Sequence, residues 1–308
     1  MKTKKFLALL LVLALVMGSL AACGGGGTDV DVEEPDVVNE AAMAYFADFP
    51  ENSNMIEFEK VMGLIDVEED MFLIDVRGAT DYDEGHIVGA VNMPFGSTAI
   101  ADNLEFIPND VPVYVYCYSG QTAAQVTTVL KVAGKDAVSI KGGWNRGISK
   151  TAGFEAYVST DKVDIPTDVY EVDEALAAAV ADYFATLVTY NGTPFAGQNV
   201  AVDVVKEIVD NADEDYVLLS VRQAADYAVC HVPGAINIPF GKGMQEGFAD
   251  LPKDKTIIVY CYSGQTASQV TAILRLLGYE AFNMTYGMGS VETGVGWLGA
   301  GLECEASE

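Results

Sequence analysis

The sequence predicts an α/β protein of two similar domains, each a parallel β-sheet flanked by helices on both faces. Three observations predict it. One stretch occurs twice, as Val113-Tyr114-Val115-Tyr116-Cys117-Tyr118-Ser119-Gly120-Gln121-Thr122-Ala123 and as Ile257-Ile258-Val259-Tyr260-Cys261-Tyr262-Ser263-Gly264-Gln265-Thr266-Ala267. Short β-branched and aromatic runs alternate with helical patterns along the chain, the mark of parallel β/α packing. The duplication also reaches well beyond the shared stretch: His86 recurs as His231 and Cys117 as Cys261, with one residue lost between the two blocks. A repeat this long is a duplicated domain rather than a solenoid.

The chain begins with Met1-Lys2-Thr3-Lys4-Lys5, a basic leader, and an apolar run over residues 6–17. That run is too short and too one-sided for an ordinary spanning helix, so residues 1–22 read as a signal peptide. It ends in Leu20-Ala21-Ala22-Cys23, which resembles a bacterial lipobox. The resemblance implies cleavage before Cys23, lipidation of that cysteine, and a protein outside the cytoplasm anchored to the cell membrane. Residues 23–39, glycine-rich and then acidic, read as a flexible tether.

The first domain is expected over residues 40–159. Residues 41–49 carry Ala42, Tyr45, Phe46 and Phe49 at helical spacing, and residues 57–65 carry Phe58, Val61, Met62 and Ile65. Residues 71–76 read as a buried strand, 79–84 as a short helix, and 91–93 as a short strand. The central strand, 113–116, ends at Cys117, and a helix over 123–133 stops at Gly134. A strand over 137–140 follows, and Gly142-Gly143 opens a last helix. Residues 160–172, with Pro166, read as a linker, and the second domain as 173–308. Its opening helix, Val180-Ala181-Asp182-Tyr183-Phe184-Ala185, repeats Ala42-Met43-Ala44-Tyr45-Phe46-Ala47.

Composition excludes some functions. The 308 residues carry a formal net charge of −28, so phosphates have nothing to neutralise them and nucleic acid is not a partner. The same charge disfavours an electrostatic hold on anionic lipid. Half the residues are hydrophobic, enough for ordinary cores.

The chemistry concentrates where a strand ends in a cysteine and a Ser-Gly turn leads into a helix, twice. A helix N-terminus leaves N–H groups unpaired and carries partial positive charge. A cysteine facing it gains a stabilised thiolate, and the same N–H groups can hold a charged sulfur adduct. Strand-end ligand sites are also what open α/β sheets offer.

The loop Cys-Tyr-Ser-Gly-Gln-Thr resembles the six-residue active-site loop of rhodanese-type sulfurtransferases. A second block supports the resemblance: Ile74-Asp75-Val76-Arg77 with Asp81-Tyr82-Asp83-Glu84-Gly85-His86-Ile87-Val88-Gly89-Ala90-Val91-Asn92-Met93-Pro94. Its partner is Leu219-Ser220-Val221-Arg222 with Asp226-Tyr227-Ala228-Val229-Cys230-His231-Val232-Pro233-Gly234-Ala235-Ile236-Asn237-Ile238-Pro239. The resemblance implies a tandem rhodanese whose Cys117 and Cys261 form persulfides in two-step covalent transfer. The substrates would be a small sulfur donor, thiosulfate or a persulfide, and a thiol acceptor, with a protein sulfur partner as a further candidate. No cofactor is implied. Tyr118, Ser119, Gly120, Gln121 and Thr122, and Tyr262, Ser263, Gly264, Gln265 and Thr266, would form the substrate loops. Asp75, Arg77, His86, Arg222 and His231 would be structural support. Two histidines in separate domains make no metal site.

The chain departs from the family in lacking a cation in either loop: Thr122 and Thr266 stand where arginine or lysine is common. This weakens recognition of a dianion such as thiosulfate. The alternative is a non-catalytic sulfur carrier, a thiol-redox module or a protein-binding module on the same fold. A related phosphatase would need a loop arginine. For Cys230 and Cys304, a bridge pinning the C-terminus and two unpaired thiols stand as alternatives. Either thiol is also a candidate to resolve a Cys261 adduct.

Overall fold

The structure is a computed structural model and describes residues 36–47 and 49–307. The expected signal peptide, the lipidated Cys23 and the tether up to residue 35 lie outside the described residues. Among the described residues no helix is long and apolar enough to cross a membrane.

The first repeat runs α1 (Val37–Ala47), β1 (Met55–Ile56), α2 (Phe58–Asp66), β2 (Phe72–Asp75), α3 (Ala79–Glu84), β3 (His86–Ile87), β4 (Ala90–Asn92), α4 (Ala99–Asp102), β5 (Val113–Tyr116), α5 (Gln121–Val132), β6 (Ala137–Ile140) and β7 (Val158–Ser159). The second runs α6 (Glu174–Thr189), β8 (Asn199–Val200), α7 (Val202–Asp210), β9 (Tyr216–Ser220), α8 (Ala224–Val229), β10 (Ile236–Asn237), β11 (Thr256–Tyr260), α9 (Gln265–Leu276), β12 (Ala281–Met284) and α10 (Gly296–Gly299). Each repeat forms a five-stranded parallel sheet, ordered β1-β6-β5-β2-β4 and β8-β12-β11-β9-β10. The strand that ends in a cysteine is the middle one in both.

Both faces of each sheet are covered. On the first sheet, Phe58 and Val61 of α2 pack on Leu73, Tyr114 and Ile140 from one side. From the other, Ala123, Val126, Val129 and Leu130 of α5 pack on Ile74, Val91 and Val115. On the second, Val205 and Ile208 of α7 oppose Val270, Ile273 and Leu274 of α9. α2 and α7 show a single apolar stripe. α5 and α9 are buried almost all round, because they pack on one another between the two sheets.

The two opening helices change places. Ala42 and Phe46 of α1, at the head of the first repeat, belong to the core of the second, with Leu219, Phe248, Val259 and Val270. Val180, Tyr183, Phe184 and Leu187 of α6 belong to the core of the first, with Val91, Ile100 and Val126. Paired hydrogen bonds lock the exchange. The Tyr45 hydroxyl donates to Gln269 Oε1 at 2.8 Å, and the Tyr183 hydroxyl lies 3.0 Å from Gln125 Oε1 of the first repeat and 2.5 Å from Gln198 Oε1 of its own. Burial raises the pKa of both hydroxyls, keeping them donors. Both repeats lie in one compact unit that begins at Asp36.

Three local readings change. α1 starts at Val37, inside the stretch read as tether. Gly142-Gly143 opens a wide π-type turn over Gly143–Gly147 and short 3-10 turns, not an α-helix, because both glycines take positive φ and the chain doubles back. Residues 160–172 form no helix or strand but are not a free spacer. They lie along the first repeat, with Tyr170 N donating to Glu105 O at 2.7 Å and Val163, Ile165 and Val172 packed on its core.

Candidate active site

Cys117 and Cys261 follow the middle strands β5 and β11, where a parallel sheet presents the ends of its strands. Each loop turns at a left-handed glycine, Gly120 at φ +86° and Gly264 at φ +88°, and the helix starts at the next residue. That conformation is open to glycine at no steric cost. It aims the glycine N–H back at the cysteine: Gly120 N donates to Cys117 Sγ at 3.1 Å, and Gly264 N to Cys261 Sγ at 3.1 Å. Both cysteines are only 1% exposed. Neither sulfur has a histidine or carboxylate hydrogen-bond partner among the described residues.

The loop carbonyls are held from a second direction. Trp144 N donates to Cys117 O at 2.7 Å and Asn145 N to Tyr118 O at 2.8 Å; Met288 N and Gly289 N do the same for Cys261 O and Tyr262 O at 2.8 Å. Gly143 and Gly287 permit this approach. A Cβ on Gly143 would sit 2.5 Å from Cys117 O, and one on Gly287 would collide with Cys261 O.

The loop tyrosines are exposed, as is Ser263 in the second loop. The Tyr118 hydroxyl donates to Asp81 Oδ2 at 2.5 Å and accepts from Gly78 N at 3.1 Å. The Tyr262 hydroxyl likewise donates to Asp226 and accepts from Gln223 N. Burial, then the bond to the carboxylate, raises both pKa values. Tyr118 lines the mouth of a pocket of about 560 Å³ with Arg77, Asp81, Glu84, Trp144, Phe154 and Glu155, among others. Cys117 itself does not line it.

Ser119 and Ser263 neither bond the sulfur nor cap the helices; Ser119 Oγ accepts from Gln121 Nε2 at 3.0 Å. Thr122 and Thr266 are half-buried in the first turns of α5 and α9. Gln121 and Gln265 turn away from the loop mouths and are buried between the domains.

The supporting residues differ between repeats. In the first, Arg77 Nε and Nη2 meet the Asp75 carboxylate at 3.0 and 2.7 Å, Nη2 also reaches Gly85 O at 2.6 Å, and the guanidinium lies 3.9 Å over the Trp144 ring. In the second, Ser220 replaces the carboxylate. Arg222 instead donates to Cys230 O at 2.6 Å and Asp226 O at 2.8 Å, lies 5.2 Å over the Tyr262 ring, and leaves Nε without a partner. His86 is buried, stacked on Tyr82 and bonded to the Tyr82 and Asp161 carbonyls at 2.8 and 3.0 Å. His231 stacks on Tyr227 and bonds its carbonyl at 2.8 Å. Among the described residues no group of three or more His, Cys, Asp or Glu side chains is gathered to hold a metal.

Cys230 and Cys304 are joined in a disulfide. It ties the C-terminal segment to the strand position of His231, whose N and O both pair with Glu305. In the first repeat the corresponding place is filled without sulfur, by Gly85 against Val158. Three roles were not read from the sequence: the Asp81 and Asp226 anchors of the tyrosines, the close approach of Gly143 and Gly287, and the cross-domain glutamines. All three leave the same faint signal, since each pair recurs at matching positions of the repeat.

The model of the rhodanese-like domain matches residues 55–150 and again 201–292. A thiosulfate:glutathione sulfurtransferase of Saccharomyces cerevisiae is 28% identical over 115 residues, 31% of this chain and 82% of that protein. A putative thiosulfate sulfurtransferase 2 of Mycobacterium bovis is 25% identical over 240 residues, 68% of this chain and 72% of that protein. A crystal structure of thiosulfate sulfurtransferase from Pseudomonas aeruginosa aligns at 17% identity and TM-score 0.32, covering 81% of this chain and 46% of that one. The chain belongs to the rhodanese-like domain family and carries that domain twice.

Proposed function

We propose that the protein is an extracytoplasmic sulfurtransferase that moves sulfane sulfur through persulfides on Cys117 and Cys261. The observation that carries this reading is the pair of loops: each cysteine closes a middle strand, and a glycine N–H at the head of a buried helix points at its sulfur at 3.1 Å. In the first step the thiolate attacks the outer sulfur of the donor. A sulfur–sulfur bond forms, the donor's own bond to that sulfur breaks, and the leaving group departs with the electron pair, as sulfite if the donor is thiosulfate. In the second step an acceptor thiolate takes the outer sulfur as its own persulfide and the cysteine leaves as thiolate. Neither step consumes an oxidant, and neither requires an acid–base partner at the cysteine. The loop N–H groups hold the negative sulfur throughout.

The pocket beside Tyr118 bears on the substrate. Its carboxylates, Asp81, Glu84 and Glu155, outnumber its one cation, and Arg77 is already paired with Asp75. With no cation in either loop, this favours a donor or acceptor of low negative charge, such as a persulfide or a neutral thiol, over thiosulfate. Export and lipid anchoring rest on residues 1–23, and the Cys230–Cys304 disulfide is consistent with an oxidising compartment. A second reading, a sulfur carrier that hands on its load only when docked, is favoured by the burial of both cysteines.

The test is intact mass after exposure to thiosulfate and, separately, to a persulfide donor, for wild type, Cys117→Ser and Cys261→Ser. Reductant-labile addition of single sulfur atoms, lost site by site in the variants, is expected. No addition from either donor sinks the reading. Loading without turnover to small thiols moves it to the carrier.

A further inference from the structure

We propose that the loop glutamines act across the domain interface: Gln265, in the loop of Cys261, positions the loop of Cys117, and Gln121, in the loop of Cys117, positions that of Cys261. Gln265 Oε1 accepts from Gly142 N at 3.2 Å, and its Nε2 donates to Ser139 Oγ at 3.2 Å; both partners belong to the first repeat. Gly142 is followed by Gly143, which lies against the backbone of Cys117, Ser119 and Gly120, and by Trp144, whose N–H holds Cys117 O. A contact from the second domain therefore reaches the carbonyl of the first domain's cysteine in three residues.

The reciprocal path uses the equivalent positions. Gln121 Oε1 accepts from Asn283 Nδ2 at 2.9 Å and Tyr286 N at 3.0 Å, both in the second repeat. Tyr286 is followed by Gly287, pressed against Cys261 O, and by Met288, whose N–H binds that same carbonyl. Each glutamine also fills the space beside the other loop's turning glycine. A Cβ on Gly120 would sit 2.7 Å from the Gln265 amide, and one on Gly264 would collide with Gln121. Arg146 and Tyr286, one from each glycine-rich segment, stack at 4.5 Å and close the same seam.

Two features argue for positioning rather than substrate contact. Both glutamines are buried, at 3% and 6% exposure. Their amides are occupied, with an acceptor oxygen matched to backbone N–H groups that would otherwise be orphaned in the interior. Gln265 is the cleaner probe. Its side chain makes no hydrogen bond to its own loop, whereas Gln121 also bonds Ser119.

The inference rests on the sulfurtransfer reading for its consequence, but its test needs no sulfur donor, so the two fail separately. Iodoacetamide alkylation of the full chain is followed at Cys117 and Cys261 by peptide mass spectrometry. A buried thiol reacts when its loop opens, so its rate follows the opening equilibrium. Leucine removes both buried hydrogen bonds of Gln265, to Gly142 N and to Ser139 Oγ, and at about 3- to 10-fold per bond this shifts the equilibrium by about 10- to 100-fold. Gln265→Leu is therefore expected to speed alkylation of Cys117 by about that factor while leaving Cys261 nearly unchanged. Gln265→Glu, which keeps the acceptor for Gly142 N, should return Cys117 toward the wild-type rate. Should the leucine variant not fold, Gln265→Asn, whose acceptor is one methylene short, takes its place. Equal acceleration at both cysteines, an unchanged Cys117, or no rescue by glutamate overturns the proposal.

Discussion

Removing the Cys230–Cys304 bridge tests how the second domain holds its C-terminus. The two cysteines are 74 residues apart in sequence. Closing a loop of that length in the unfolded chain removes entropy worth about 4 kcal/mol. The folded contacts that remain, His231 N and O with Glu305 and Trp297 Nε1 with Glu303 O at 2.7 Å, are present with or without the bridge and do not replace that term. Against a typical net stability of about 5–15 kcal/mol, the loss is large. At about 2–4 °C per kcal/mol for a chain of this size, the Cys230→Ser/Cys304→Ser variant should melt about 8–16 °C below wild type. Urea unfolding of both proteins, with and without reductant, is the assay. Reductant should bring the wild type down to the variant and leave the variant where it was. A loss below about 1 kcal/mol, or an equal effect of reductant on both, would refute the chain-entropy reasoning.

Three further outcomes are expected. Asp75→Ser, which gives the first repeat the second repeat's residue, should cost about 3 kcal/mol in urea unfolding, because it strands the buried Arg77 cation; Ser220→Asp, meeting the unpartnered Nε of Arg222, should change stability in the opposite direction. Lys135 is 2% exposed, its Nζ donates to Ile107 O at 2.6 Å and faces the Tyr170 ring, and burial lowers its pKa from 10.5 to about 8. The unfolded chain then binds more protons than the folded one between those values, so wild-type stability should rise with pH through that window relative to Lys135→Met; parallel profiles would contradict this. Phe46→Ala should cost about 3–5 kcal/mol, and hydrogen exchange should place the lost protection in β11 and α9 of the second repeat rather than in β5 of the first.

Much of this was legible in the chain. The β-branched runs before Cys117 and Cys261 mark buried middle strands because such strands are apolar on both faces. Asp75 and Arg77, two residues apart at a strand end, share a side of the pleat and so can pair. What stayed hidden is of another kind. Ala42 and Phe46 announce a helix with a buried face, but an apolar stripe does not say which sheet it will meet, and the sequence-adjacent sheet is not the one used. Gln121 and Gln265 read as loop residues because nothing in their neighbourhood reveals a partner more than a hundred residues away. Gly142-Gly143 reads as the start of a helix, whereas the backbone contact with Cys117 selects a wide turn there. Local pattern records burial and backbone freedom; partner choice between two halves of the same fold is decided by tertiary packing.

The crossed opening helices carry a consequence for ancestry and assembly. A repeat whose opening helix leaves its own core needs one from a neighbour, and here the two repeats supply each other reciprocally. That arrangement describes a homodimer with exchanged arms, a closed symmetric form that needs only one gene. Residues 160–172 then act as a covalent tie that fixes the partner and frees the two copies to diverge. Ser220 opposite Asp75 and Cys230 opposite Gly85 are such divergences, changes a homodimer would have had to accept on both sides at once.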